Sequence, residues 1–337
     1  YEENRHFFLS HFFRDNYDRS MAQLPNITSG IKINRVEVWV TNKTGATNNT
    51  RNIVAFADLG ESRHIGNALW SGNGQDQPQN TSNNLFATIT GSYAAARDIS
   101  LTASTLDGIG NFVGGSDYEK LESARMLSSS EYTVNKALGY ISLKSALQTD
   151  QVLAVAFEYT YRGQNYQVGE FSTDIKDNTQ ALFVKALKNT SNVPSMANWK
   201  LMMRNVYSLN ATRVQKDRFR LDVKILSDTT GVYLTYIPEP GLKNTPLVRL
   251  MNLDRLDNNN KANPNGYFDF VDGYTIDAST GRVFFPSAEP FGQFLREKIG
   301  SGAVADKYCF QELYDSTKTV ARQIAEKNKY IISGQFK

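Results

Sequence analysis

Apolar and aromatic residues recur at three-to-four spacing near the start of the chain: His6 to Leu9, Phe12, Phe13, Tyr17, Met21 and Leu24. That period predicts an amphipathic helix from about residue 4 to 23, ended by Pro25. From Ile31 the period becomes two. Val36, Val38 and Val40 share one face of a predicted strand over 31–41, and Arg51 to Leu59 reads as a second strand. The turn-rich stretch 42–50 between them suggests a hairpin, with the valine face buried. Residues 60–115 break the pattern. Ser71 to Asn84 carries only polar residues, Gly and Pro, which predicts a long exposed loop or a mobile segment. A short helix is expected over Tyr118–Leu127, and the apolar cluster Val152 to Phe157 reads as a buried strand.

A repeat organises the rest. Tyr132-Thr-Val-Asn-Lys-Ala-Leu-Gly139-Tyr-Ile-Ser-Leu143 aligns without gaps to Tyr274-Thr-Ile-Asp-Ala-Ser-Thr-Gly281-Arg-Val-Phe-Phe285. Each copy reads as strand, Gly-containing turn, strand, with the glycines at one turn position. The second copy follows a helix-like stretch, Trp199 to Leu209, and an alternating pair, Phe219–Leu226 and Val232–Ile237, joined by 227–231. Val152–Tyr161 follows the first copy, and Lys329–Phe336 follows the second after helix-like inserts at 291–299 and 307–328. The expected fold is therefore α+β: two degenerate units of helix and antiparallel hairpins, β-rich, with long polar loops. The first unit spans 1–176 and includes the polar loop 60–115; the second spans 177–337 and includes the helical inserts.

Composition narrows the function. The +3 net charge rests on 37 basic and 34 acidic residues scattered without a like-charge block, which disfavours nucleic acid as a partner. Mean hydropathy is −0.44, and no apolar run reaches the length of a membrane helix. The one cysteine, Cys309, permits no internal disulfide and reads as a small buried residue. The opening at Tyr1, with no leader, reads as a mature piece or a fragment.

Catalytic signatures are missing. There is no H-E-x-x-H, G-x-S-x-G, Walker loop or C-x-x-C, so no catalytic, cofactor-binding or metal residue is assigned and an enzyme is not expected. Asp107 to Gly115 lacks phosphate-loop spacing and reads as a flexible surface loop. His6 and His11 are five apart, too far for a metal pair on one helix face, and His64 is isolated in sequence. Asp254 to Asp269 concentrates oxygen ligands of the kind calcium takes, but Lys261 occupies a ligand position. A polar turn, with Asn and Asp bonding their own backbone, is the favoured reading. Asp228-Thr-Thr and Asp315-Ser-Thr resemble O-glycosylation sites of exported Bacteroidetes proteins; turns and helix caps explain them equally.

Several longer segments carry more information. They are 12–17 (FFRDNY), 29–42 (SGIKINRVEVWVTN), 50–60 (TRNIVAFADLG), 266–273 (GYFDFVDG), 281–286 (GRVFFP) with 289–292 (EPFG), and 310–317 (FQELYDST). In this order they resemble the SprA/Sov family, the outer-membrane translocons of the Bacteroidetes type 9 secretion system. The resemblance implies a very large β-barrel that conducts folded cargo, interrupted by extramembrane domains. It also implies a PorV-type accessory barrel, a periplasmic plug protein and secreted cargo as partners, with a part in gliding motility in some members. It attributes no catalytic residue. Spanning barrel strands need about 9–11 alternating residues, a length only Ile31–Thr41 and Val152–Tyr161 reach. An extramembrane portion of a longer protein, at the cell surface or on the periplasmic face, is therefore expected. The alternative is a cell-surface adhesin or glycan-binding module, with Trp39, Trp70 and Trp199 as sugar-stacking residues.

Overall fold

In the computed structural model, which describes residues 1–300 and 302–336, the α+β, β-rich expectation holds. The chain divides into an N-terminal unit of residues 3–16 and 29–203, and a C-terminal unit of residues 1–2, 17–28 and the chain from Arg204 on. The division expected at 176 falls elsewhere. Residue 176 lies between two strands of one sheet, and the second repeat begins only at Val206.

The N-terminal unit contains β1 (His6–Phe8), α1 (His11–Ser20, its last turn counted with the other unit), β2 (Ile31–Val40) and β3 (Thr50–Phe56). These are followed by α2 (Leu85–Ser92), α3 (Thr102–Asp107), β4 (Tyr118–Met126), β5 (Tyr132–Asn135), β6 (Tyr140–Leu143), β7 (Leu153–Tyr161), β8 (Gln164–Val168) and β9 (Leu182–Lys188). The order β2-β4-β3-β9-β7-β8, with β2 also paired to β7, closes five strands into a small barrel; β8 hangs on β7. Closure buries both faces of the central strands. Ala55, Ala154, Ala156 and Ala186 pack with Trp39, Leu182 and Phe171 on one face, and Phe56 meets Phe183 edge-on at 5.5 Å on the other.

Three expectations change here. The expected helix over 4–23 is shorter, because His6–Phe8 pairs with β6 and only His11–Ser20 is α-helical, followed by a 3-10 turn at Met21–Gln23. The expected helix over 118–127 is β4. A bulge there puts Ser123 at φ +49 and shifts the register against Arg51/Ile53. The extra residue brings Leu121 and Ala124, three apart, into the same core cluster, which imitates helical spacing. Finally, β2 does not form a hairpin with β3. It pairs along its length with β7 and at Trp39 and Val40 with β4, which lies between β2 and β3. Of the expected valine face, Val38 and Val40 are buried but Val36 is only half-buried, and Trp39, on the other face, is buried too.

The C-terminal unit contains β10 (Val206–Ser208), β11 (Arg220–Leu226), β12 (Tyr233–Leu234), α4 (Leu247–Leu250), β13 (Ile276–Asp277) and β14 (Arg282–Phe284). Then come α5 (Gln293–Ile299), α6 (Ala303–Tyr308), α7 (Glu312–Asp315), α8 (Lys318–Gln323) and β15 (Tyr330–Gln335). The expected helix at Trp199–Leu209 is instead a 3-10 turn at Trp199–Leu201, in the N-terminal unit, followed by β10. The insert expected at 291–299 is α5 and the final strand is β15, but the insert expected at 307–328 is broken into the short helices α7 and α8, and α6 starts before it. Leu253, Met251, Phe285, Leu295 and Tyr314 are buried in the unit's core.

The repeat is present at the level of individual hydrogen bonds. In the first copy Val134 faces Ile141 and Asn135 faces Tyr140; in the second Ile276 faces Val283 and Asp277 faces Arg282, the aligned positions. Each hairpin carries a third strand in the same register, Phe7 opposite Ile141 and Tyr207 opposite Val283. The Leu9 N–H donates to the Gly139 carbonyl (3.0 Å) and the Leu209 N–H to the Gly281 carbonyl (2.8 Å). Both glycines hold left-handed φ, +73° and +64°, which a side chain adopts only with strain. Beyond the hairpins, β7 pairs antiparallel with β2, and β15 does the same with β11.

Candidate functional site

Two features stand out, one sealed and one open. The sealed one is a charged network in the N-terminal unit. The alternation of β9 turns Lys185 away from the Leu182/Val184/Ala186 cluster, and its side chain is fully buried. Its Nζ donates to the carbonyls of Ala57 (3.1 Å) and Leu59 (3.0 Å) and lies 3.0 Å from Glu61 Oε1. Glu61 Oε1 also accepts the His11 backbone N–H at 3.2 Å, while His11 Nδ1 approaches off-axis at 3.0 Å. Burial alone would raise the Glu61 carboxyl; the Lys185 and His11 charges outweigh it and hold the group well below the usual carboxylate range. His11 stacks on His64 at 4.6 Å, and the His64 Nε2 contacts Asp15 at 2.7 Å, a hydrogen bond that raises the imidazole. The Lys185–Glu61–His11 centre is closed to solvent, with each charge partnered by the protein, while His64 and Asp15 stand half-exposed at its rim.

Sequence reasoning did not single out Lys185 or Glu61, which have no motif around them. The residues it did weigh are placed as follows. His6 is buried, with Nδ1 2.7 Å from Ser142 Oγ. Cys309 is buried, and burial pushes its thiol up. In loop 254–269 the oxygens serve the backbone. Asp254 accepts the N–H groups of Asn265 and Gly266 and pairs with Arg249; Asp257 accepts those of Asn259 and Lys261; Asp269 accepts those of Arg255 and Leu256. Thr317 caps α8, its hydroxyl accepting the Val320 N–H. Trp39, Trp70 and Trp199 are 2, 6 and 5% exposed, so none presents a ring to a sugar. Among the described residues no group of three or more His, Cys, Asp or Glu is placed to hold a metal ion, and no helix is long and apolar enough to cross a membrane.

The polar loops are more ordered than their composition suggests. In 71–84, Ser82 and Asn83 are buried. Asn83 Nδ2 donates to the Asp58 and Glu61 carbonyls, and the Pro78 carbonyl accepts the Tyr159 hydroxyl. In 108–116, Phe112 is buried and stacks on Tyr118 at 5.3 Å.

The open feature is a groove of about 730 Å³ in the C-terminal unit. Tyr207, Phe219, Phe291, Phe310 and Tyr330 line it with aromatic surface, and strand β15 runs along it from Tyr330 to Gln335. In its sheet, of order β12-β11-β15, β15 is an edge strand. The Leu226 N–H donates to the Lys329 carbonyl, and the register pairs Ile331 with Lys224 and Ser333 with Asp222. By antiparallel alternation, residues 329, 331 and 333 bond towards β11, and the N–H and C=O of Ile332 face the open edge. Ser333 Oγ is buried without a hydrogen-bond partner among the described residues. Arg220, Lys318 and Arg322 stand along the groove, and none of its described lining residues is Asp or Glu. Lys318 Nζ donates to the Tyr1 carbonyl at 2.8 Å; Arg220 Nε is 3.3 Å from Asp222; Arg322 is exposed, with no ion pair among the described residues.

No protein-family model matches this chain, and no curated protein matches it.

Proposed function

We propose that this chain is an extramembrane structural and interaction region of a protein-conducting outer-membrane translocon of the SprA/Sov kind, acting in type 9 secretion and, where present, gliding motility. In this reading it is no enzyme: it walls, caps or supports the conduit and docks partner proteins. The observation that carries the proposal is the ordered series of segments, running from 12–17 to 310–317, that resemble that family. The burial of residues in these segments, and the packing of two of them on each other within the C-terminal unit, support it. Phe13 and Tyr17 of the first are buried. Segment 289–292 packs on 310–317: the Phe291 N–H donates to the Tyr314 hydroxyl (2.9 Å), the Phe310 N–H to the Phe291 carbonyl (2.7 Å), and Gln311 Nε2 to Glu289 (2.8 Å). A side chain at Gly292 would stand 2.9 Å from the Tyr314 ring. Motifs that fit together in three dimensions are harder to match by accident than isolated strings. The adhesin alternative loses its named residues, since the tryptophans are buried.

The reading is tested by affinity purification of the full-length protein with and without this region. Loss of the accessory barrel or the plug from the purified complex, with the translocon barrel at normal abundance, supports it. Retention of both partners, together with binding of the isolated region to a glycan array, replaces it with the adhesin reading.

A further inference from the structure

We propose that Asn73 is a site of spontaneous covalent modification: its side-chain amide closes onto the Gly74 backbone nitrogen and expels ammonia, and water then opens the ring to an aspartyl or isoaspartyl residue that loosens the loop 73–82.

The reaction is intramolecular. The Gly74 nitrogen gives up its proton to solvent and attacks Asn73 Cγ. The Cγ–Nδ2 bond breaks, and Nδ2 takes a proton from water and leaves as ammonia. Water then adds across one of the two carbonyl–nitrogen bonds of the cyclic imide. Nothing is oxidised or reduced, and water is the only co-reactant. Glycine after asparagine favours closure, because without a Cβ the backbone turns freely and its nitrogen can be approached.

The chain has two Asn-Gly dipeptides, Asn73-Gly74 and Asn265-Gly266, and their surroundings make them a matched pair. All four residues are exposed, and the two glycines hold similar left-handed φ, +80° and +86°. Each asparagine Oδ1 accepts the N–H two residues on, from Gln75 at 2.9 Å and from Tyr267 at 3.0 Å. Each Nδ2 also has one partner, the Thr81 carbonyl at 3.0 Å and Asn258 Oδ1 at 3.2 Å.

Two differences separate the sites, and both favour Asn73. The first is the nucleophile. The Gly266 N–H donates to both oxygens of Asp254, at 3.1 Å each, and Asp254 is fully buried. That bond must break before the nitrogen can attack, and the carboxylate charge opposes loss of the amide proton. The Gly74 N–H makes no hydrogen bond among the described residues. The second is the electrophile. Attack on Cγ turns Oδ1 into an oxyanion. Asn73 Oδ1 already has two donors, the Gln75 N–H and the Ser62 hydroxyl at 3.3 Å, whereas Asn265 Oδ1 has one. Donors placed where charge develops lower the barrier to acyl chemistry.

The product disturbs its own loop. Asn73 stands at the loop's base, where its N–H donates to the Ser82 carbonyl at 2.8 Å beside the Gly72–Asn83 bridge. A carboxylate in place of the amide cannot donate to the Thr81 carbonyl and repels it. An isoaspartyl residue also lengthens the main chain by one carbon and shifts the pairing with Ser82. Asn83, bonded to the Asp58 and Glu61 carbonyls, remains fastened, so the loop loosens while the barrel stays folded.

Peptide mass spectrometry of the folded chain, aged at neutral pH in isotopically heavy water, tests this by following ammonia loss and water uptake at each dipeptide. Asn73 should convert at least about tenfold faster than Asn265, the cost of giving up a hydrogen bond to a charged group. In urea, where Asp254 no longer holds Gly266, the two rates should converge. Ser62→Ala, at an unchanged melting temperature, should slow Asn73 and leave Asn265 unaffected. Converted protein should exchange amide hydrogens faster over 73–82. Conversion of Asn265 as fast as Asn73 in the folded chain overturns the proposal. So does an Asn73 that reacts in urea and stays intact when folded. An unchanged rate in Ser62→Ala overturns the oxyanion role, and unchanged exchange over 73–82 in converted protein overturns the loosening.

Discussion

The Glu61–Lys185 pair offers the sharpest energetic test of the N-terminal unit. Both side chains are almost fully buried, and Lys185 Nζ is divided between Glu61 and the Ala57 and Leu59 carbonyls, all at 3.0–3.1 Å. Glu61→Gln leaves an ammonium in the interior with neutral partners only. Removing one member of a buried pair costs about 3–5 kcal/mol. Lys185→Met strands the carboxylate in turn, at a similar cost, and frees two buried carbonyls at about 1–3 kcal/mol each. In the double variant neither the ammonium nor the carboxylate of the pair is left buried alone, and the carbonyl loss, the missing His11 partner and repacking persist. The double variant is therefore more stable than the sum of the singles implies, with a coupling of at least about 2 kcal/mol. Trp39, Trp70 and Trp199 all belong to this unit, so urea unfolding followed by tryptophan fluorescence reports on it directly. Additive singles, or a Glu61→Gln cost below about 1 kcal/mol, would refute the account of a mutually dependent buried pair.

Other outcomes follow from the same geometry. Because the folded Glu61 carboxyl is held below its unfolded value, its contribution is complete above the unfolded pKa of about 4.3 and is lost as pH falls below it. Wild type should therefore lose more stability than Glu61→Gln between pH 5 and pH 3 (about two units of acidification), measured by urea melts; parallel losses contradict this. Gly139→Ala and Gly281→Ala should each lower the melting temperature. Each forces a side chain into left-handed φ and brings a Cβ to 2.4 Å from the Phe13 ring or 2.0 Å from the Ala211 carbonyl, and a neutral result at either position would break the equivalence of the two hairpins. Millimolar calcium should leave the melting temperature unchanged, because the carboxylates of Asp254, Asp257 and Asp269 already accept backbone N–H groups; a chelator-reversible rise of many degrees would show that they can be diverted to a cation.

Where local chemistry decided the structure, the sequence was readable. The two hairpins share Tyr, Thr and Gly because the turn demands a left-handed residue at one position, and the structure repeats them bond for bond. Where long-range pairing decided it, reading failed. The proximity of β2 and β3 in sequence suggested a hairpin, but β4 enters from about 70 residues further on and separates them. The bulge at Ser123 disguised that strand as a helix. The unit boundary was misplaced because β9 returns to pair in parallel with β3, well past residue 176. The charged network and the groove left no local trace. Lys185, Glu61 and His11 meet across 174 residues of chain, and the groove gathers 207–210, 219–221 and 318–336.

For the proposed translocon reading, the most direct measurement is cargo export from cells whose full-length protein carries an in-frame deletion of this region, with barrel abundance in the outer membrane first shown to match wild type. A conduit scaffold predicts that secreted cargo accumulates inside the cell while the barrel stays in place. Normal export from an intact barrel lacking the whole region would contradict the central claim.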